Sequence, residues 1–368
     1  MGKVYVVTNP TPLHNNSPVV SLSKFVQVLC GAGYTPVVSG ARLPKDGLPG
    51  VPDDVIVKSY RYGGKSIFKM ASFAMLQMKM FFSGLFRYRK GDSVYFWIAD
   101  KMLGAFLAAK LKRAEINYFL YGRTFKDGTG GLSAKLIIYM MNRADYVCVE
   151  SPAVFDQWNP DESVPRSAIR LFVPESDVQS VPFSERGKSV AMFSRLCPGK
   201  HIDDAVKAFC KVREQFPDYD MTIIGGGVLE DEVRELIREL NAEDYITVTG
   251  WLSPDEAKRR IAECRVLLYP TDAEGVPGSV LESMSLGVPA LASPAGGIPD
   301  VIDDGADGRI LSDTTPDVIE KELASMLSCD RLEQMAEAAK KKIAEQYSRD
   351  AAVANFLAVI ESRNVKKD

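Results

Sequence analysis

Histidine is nearly absent from this chain: only His14 and His201 stand among its 368 residues. The six cysteines, Cys30, Cys148, Cys197, Cys210, Cys264 and Cys329, show no paired spacing, and most lie in apolar runs. Neither a zinc site nor a disulfide framework is expected, and the thiols read as reduced core residues. The G-x-G-x-x-G spacing of a dinucleotide fingerprint is missing, which argues against a nicotinamide enzyme. The N-terminal MGKVYVVTNP lacks the charged, apolar and small-residue order of a secretory leader, and its apolar run is too short to span a bilayer. A cytoplasmic protein is the expectation. A formal net charge of −3 gives no global basis for nucleic-acid binding, so any anion site must be local.

What is present is ordinary globular material, with 46% hydrophobic and 25% charged residues. The length predicts two domains. Lys3 to Thr8 is apolar and β-branched, a turn-rich stretch with His14 and Asn15 follows, and Val19 to Leu29 has helical spacing. From Ser93 onward, strand and helix patterns alternate, which implies parallel sheets with helices on both faces. Ligand-binding loops then follow the strands. In the first half those loops hold His14, Asn15, Asp100 and Arg123. His14 is either functional or an exposed loop residue, and Arg123 either contacts a phosphate or acceptor or forms a surface ion pair. The polar, proline-containing PESDVQSVPFSERGKS (174 to 189) reads as the linker.

Residues 55 to 91 contain no Asp or Glu but eight basic residues. At 100° per residue Lys65, Lys69, Ser72, Lys79, Ser83, Arg87 and Lys90 fall within about an 80° arc, with Met and Phe around the rest. A transmembrane helix is disfavoured, because Lys69 and Lys79 would each cost ~2.5 to 3.5 kcal/mol near the bilayer centre. Two readings stay open: a helix lying on an anionic membrane surface, or a mostly buried helix with its basic stripe facing solvent.

The second half carries the chemistry. A strand over Val266 to Tyr269 runs into Glu274, then Gly275-Val276-Pro277-Gly278, then a helix from near Ser279 that carries Glu282. The first N–H groups of a helix have no internal partner and sit at the positive end of its dipole, so this junction can hold a diphosphate. The flanking carboxylates can accept hydrogen bonds from sugar hydroxyls. Another strand ends at Arg195 and Lys200, two cations beside a Pro-Gly turn and suited to the same diphosphate. In MTIIGGGVLEDEVREL, Gly225 to Gly227 suggest close backbone approach to the ligand, while the acids that follow would repel phosphate.

EGVPGSVLESMSLGVPALASPAGGIPDVI resembles the donor-site motif of retaining glycosyltransferases of family 4. FSRLCPGKHIDDAVKAF, TIIGGGVLEDEVREL and ITVTGWLSPDEAKRRIAECRVLLYPT resemble that family's neighbouring blocks. The match covers residues 187 to about 311 well and the first half poorly; Tyr121 stands where the family commonly has a histidine. The resemblance implies an α/β fold of two doubly wound Rossmann-like domains facing across a cleft, the GT-B fold. Residues 1–186 would bind the acceptor, 187–347 the donor, and 348–368 would return to the first domain. It implies a retaining transferase in which Glu274 orients the donor sugar and Arg195 and Lys200 hold its diphosphate. Glu282 takes the ribose, with Gly226, Gly227, Val276, Pro277 and Ser279 lining the site and Trp251 either near the nucleobase or packing. Asp272 is a further candidate at the sugar. No cofactor or metal is expected, only a UDP- or GDP-type sugar as co-substrate. The basic Met and Phe helix of residues 65 to 90 suggests an acceptor that is lipid-linked or a growing cell-surface glycan at the inner membrane face. A nucleotide-sugar binding or scaffolding protein is the alternative; a nucleotide-sugar epimerase or sugar phosphorylase fits the two glutamates less well.

Overall fold

The computed structural model describes residues 2–9, 17–63, 67–99, 102–120, 132–158 and 160–365, with side chains described for all of these except 17, 67–69 and 132–134. His14, Asn15, Asp100, Tyr121 and Arg123 lie outside them. In the first unit, β1 (Val4–Thr8) is buried at every position, as a strand covered on both faces must be. It is followed by α1 (Ser17–Gly31), β2 (Val37–Ala41), β3 (Ile56–Tyr60) and α2 (Ile67–Arg87). Then come β4 (Ser93–Trp97), α3 (Leu103–Lys112), β5 (Glu115–Phe119), α4 (Leu132–Met141), β6 (Tyr146–Val149), α5 (Ala153–Trp158) and β7 (Arg166–Ala168). The seven strands form one parallel sheet in the order β3-β2-β1-β4-β5-β6-β7, with Val6 opposite both Val38 and Tyr95. One face is packed by α2 and α3, and the other by α1, whose Phe25 stacks on Trp97 with ring centroids 4.6 Å apart.

The second unit starts at Val173, earlier than the polar composition of 174 to 189 suggests. Val173, Val178 and Val181 pack on its core. Arg186, buried, donates to the carbonyls of Val181, Leu286 and Gly287 at 2.9, 3.1 and 2.5 Å. A polar stretch can thus be anchored where one guanidinium satisfies several carbonyls. Its elements are β8 (Ser189–Phe193), α6 (Ile202–Gln215), β9 (Asp220–Ile224), α7 (Glu230–Glu239), β10 (Ile246–Val248) and α8 (Pro254–Ala262). After these come β11 (Val266–Tyr269), α9 (Gly278–Ser285), β12 (Ala290–Ala292), α10 (Ile298–Val301), β13 (Arg309–Ile310), α11 (Pro316–Leu327) and α12 (Leu332–Gln346). Local signals set several boundaries. The Ser253 side chain accepts from Glu256 N as the N-cap of α8, and Pro254 follows it. Ile202, Ala205, Val206, Phe209 and Val212 make the buried face of α6. The strands are parallel in the order β10-β9-β8-β11-β12-β13.

The chain order reverses between β1 and β4 in the first sheet and between β8 and β11 in the second. Open α/β sheets bind ligands beyond the carboxyl ends of strands at such switch points. The last helix, α13 (Arg349–Val365), packs on α1 of the first unit.

Candidate functional site

At the second switch point, the loop after β8 and the loop after β11 are joined through backbone. Asp272 N donates to Gly199 O at 2.9 Å, and Thr271 Oγ1 donates to the same carbonyl at 3.3 Å. Gly199 takes φ 82°, a conformation open to glycine. This aims Lys200 across the strand ends. Its ammonium pairs with Glu274 Oε1 and lies 3.2 Å from Tyr269 OH and 3.3 Å from Thr271 Oγ1. Tyr269 in turn donates to Glu274 Oε1 at 2.8 Å. Burial, and then the neighbouring Glu274 carboxylate, push the Tyr269 phenol well above its ordinary value, so it stays a donor.

Glu274 leads into α9. Pro277 is the N-cap, no side chain caps the helix, and no acid occupies its first turn. The loop is fixed from behind by Gly296 (φ 56°), where a Cβ would lie 1.7 Å from Glu274 O. Gly297 N also donates to Gly275 O at 2.6 Å. Pro277 is buried and Gly275, Val276, Gly278 and Ser279 are half-buried. One turn on, Glu282 is half-buried, and its carboxylate makes no hydrogen bond or ion pair among the described residues. Arg195 is exposed, and its guanidinium is likewise unpaired among them.

Two glycines of the triplet press on the chain's own backbone. A Cβ on Gly225 would lie 2.1 Å from Ser194 O, and one on Gly227 would lie 2.2 Å from Leu196 O. The close approach is to the chain's own Ser194–Leu196 loop, held also by Leu196 N donating to Gly226 O at 3.0 Å. Gly226 faces the ring of Trp251, a residue 68% exposed. Glu230, the first acid of α7, is engaged by Arg234 at 2.8 Å.

Tyr269, Thr271 and the His201 bridge were not singled out from sequence as site residues, although Tyr269 and Thr271 stand in the YPT that closes β11. His201, at φ 44°, caps α6 by position and holds Asp204 through Nδ1 and Asp272 through Nε2, both at 2.9 Å. Burial alone would lower its pKa, but the bonds and charges of Asp272 and Asp204 outweigh that and raise it above 6.5. Among the described residues, no three His, Cys, Asp or Glu side chains converge as a metal cluster.

Two parallel doubly wound sheets, with lysine, arginine and glutamates gathered at the switch point of the second, define the GT-B class of fold. Residues 174–342, which contain all of the switch-point residues described above, match the family described as glycosyl transferases group 1. A GDP-mannose-dependent alpha-(1-6)-phosphatidylinositol monomannoside mannosyltransferase of Mycobacterium tuberculosis is 29% identical over 180 residues, 46% of this chain and 47% of that protein. An amylovoran biosynthesis glycosyltransferase of Erwinia amylovora is 31% identical over 121 residues, 31% of this chain and 30% of that protein. The chain spans about half the length of the first of these and less of the second. The fold is similar to that of the pneumococcal O-GlcNAc transferase GtfA, solved with UDP and GlcNAc. The TM-score is 0.74 at 14% identity, covering 98% of this chain and 99% of that one.

Proposed function

We propose that this protein is a retaining glycosyltransferase that moves a sugar from a UDP- or GDP-type nucleotide diphosphate to a lipid-linked acceptor or growing cell-surface glycan, at the cytoplasmic face of a membrane. The observation that carries the reading is the Lys200–Glu274–Tyr269 cluster beside the uncapped N-terminus of α9, with the Arg195 and Glu282 side chains unpaired among the described residues. A diphosphate entering there meets the first-turn N–H groups of α9 and the Arg195 fork, and draws Lys200 away from Glu274. Glu274 then turns its acceptor oxygens to the sugar hydroxyls, and Glu282 takes the ribose. The leaving diphosphate is stabilised by these fixed charges, without reorganisation at the moment of transfer. His14, Asn15, Asp100 and Arg123 are the acceptor-side residues of this reading.

The relatives' names support both bases, GDP for the mannosyltransferase and UDP for GtfA, and acceptors of a lipid and a polysaccharide kind. Tyr121, in the place of the family histidine, favours a second reading, a protein that binds the donor without turnover. Calorimetric titration of UDP and GDP, with turnover of the matching sugars, tests both. One diphosphate should bind, and Glu282→Ala should weaken it by ~1 to 3 kcal/mol, the range for losing a charge-assisted hydrogen bond. If neither binds, the proposal fails; binding with no turnover of any sugar leaves the second reading.

A further inference from the structure

The face of α2 that looks away from the first sheet is apolar, opposite to what its basic stripe suggests. Leu76 and Met80 point inward and are 1% and 2% exposed. Helix α3 seats that inner face closely: a Cβ on Gly84 would lie 2.6 Å from Ala108 Cβ, and one on Gly104 would lie 2.2 Å from Gln77 O. Ser83 accepts from Tyr60 OH at 3.1 Å, and Ser72 accepts from Gly63 N at 3.2 Å, so these members of the polar stripe have inner partners. Outward stand Met70, Met75, Met78, Phe82 and Phe86, exposed by 75, 51, 56, 54 and 85%. At 100° per residue they span about 160°; the alanines and the half-buried Phe81 and Leu85 also fall in that arc, no charged residue does, and Lys79 stands at its border. The same Met75, Met78, Phe82 and Phe86, with Tyr60, line a groove of about 550 Å³ whose walls include Lys79 and Arg87.

An uncovered apolar surface of this extent marks a docking site. Charge selects the occupant. Residues 55 to 91 hold eight basic residues and no acid, and Lys58 has its pKa lowered by burial and by the nearby Arg87. A second copy docking through this face would bring two such segments together and repel. A surface carrying fixed anions would neutralise them. No helix among the described residues is long and apolar enough to cross a membrane, so α2 can lie on one but not span it.

We infer that α2 docks the protein flat on an anionic bilayer, with its Met and Phe face in the acyl boundary and Lys79, Arg87, Arg89 and Lys90 against lipid phosphates. The inference rests on the lipid-linked-acceptor reading and deepens it, because an enzyme held this way meets its acceptor at the surface. The full chain should co-sediment with phosphatidylcholine vesicles containing phosphatidylglycerol and bind pure phosphatidylcholine far less. Phe82→Ser with Phe86→Ser, both exposed and outside the core, should reduce binding by about tenfold or more. Lys79→Glu should reduce it on the anionic vesicles only. UDP and GDP titrations on the same preparations should not change. Absence of wild-type binding, or full binding by the double variant, would overturn the inference. So would concentration-dependent self-association abolished by the double variant, since the face would then belong to a second copy. Vesicle binding without binding of either diphosphate would sustain membrane docking and remove the transferase reading alone.

Discussion

Lys200 is not a spare cation waiting for phosphate. Its ammonium is shared by Glu274, Tyr269 and Thr271, so in the function proposed above donor binding would be an exchange of partners that releases Glu274 from this ion pair. Among the described residues the Arg195 guanidinium and the Glu282 carboxylate, unlike Lys200, have no partner to give up, which is why Glu282→Ala is the cleaner probe of the site. The residue beside Lys200 makes a pH-dependent contribution. His201 links α6 to Asp272 of the loop after β11, and its pKa is raised above 6.5. A raised histidine pKa means the folded state binds the proton more tightly, so its stabilisation is complete below pH 6.5 and is lost as pH rises through the folded value. His201→Gln should therefore be less stable than wild type below pH 6.5, by roughly 1 to 3 kcal/mol for the charge-assisted bonds lost. The gap should close at higher pH. Urea midpoints across pH measure this; a gap that does not change with pH would show that the bridge is not ionic.

At the scale of elements, the glycine turn after β9 separates three positions that look alike in sequence. Gly225 and Gly227 press on backbone carbonyls of the Arg195 loop, whereas Gly226 presses on the exposed Trp251 side chain. Backbone cannot swing aside and a surface ring can. Gly227→Ala should cost about 2 kcal/mol or more of stability and weaken diphosphate binding by displacing the Arg195 loop. Gly226→Ala should be tolerated within about 0.5 kcal/mol. Equal effects of the two in denaturant melts and diphosphate titration would contradict this account. The same distinction governs α2. Its periodicity marks a helix, yet a stripe of cations and a field of Met and Phe do not say which side α3 covers.

At the scale of the molecule, α13 follows the second unit in sequence and packs with the first. Its Arg363 is buried, donating to Asn117 Oδ1 at 2.6 Å, Ser167 Oγ at 3.1 Å and Cys148 Sγ at 3.2 Å, with its guanidinium 3.9 Å from the Tyr146 ring centroid. Arg363→Ala would leave the fully buried Asn117 without this donor. The first unit should lose roughly 2 to 4 kcal/mol through an unsatisfied polar group and lost packing. Hydrogen exchange should show amides of β5, β6 and α13 opening more readily while those of β8 and β11 keep their protection. Uniform loss across both sheets would mean that the two units unfold as one.

Residues close together in the chain set the alternation of strands and helices, and with it two parallel sheets. They also put Arg195, Lys200 and Glu274 in loops that follow strands, because period, turn residues and helix starts are written in near neighbours. The rest depends on contacts between distant parts of the chain, which the folded arrangement makes. That arrangement set Lys200 against Glu274, 74 residues away, through the strand order β8-β11. It began the second unit at Val173 because valines and Arg186 found partners there. It turned the Met and Phe face of α2 outward, because Gly84 and Gly104 let α3 occupy the other side.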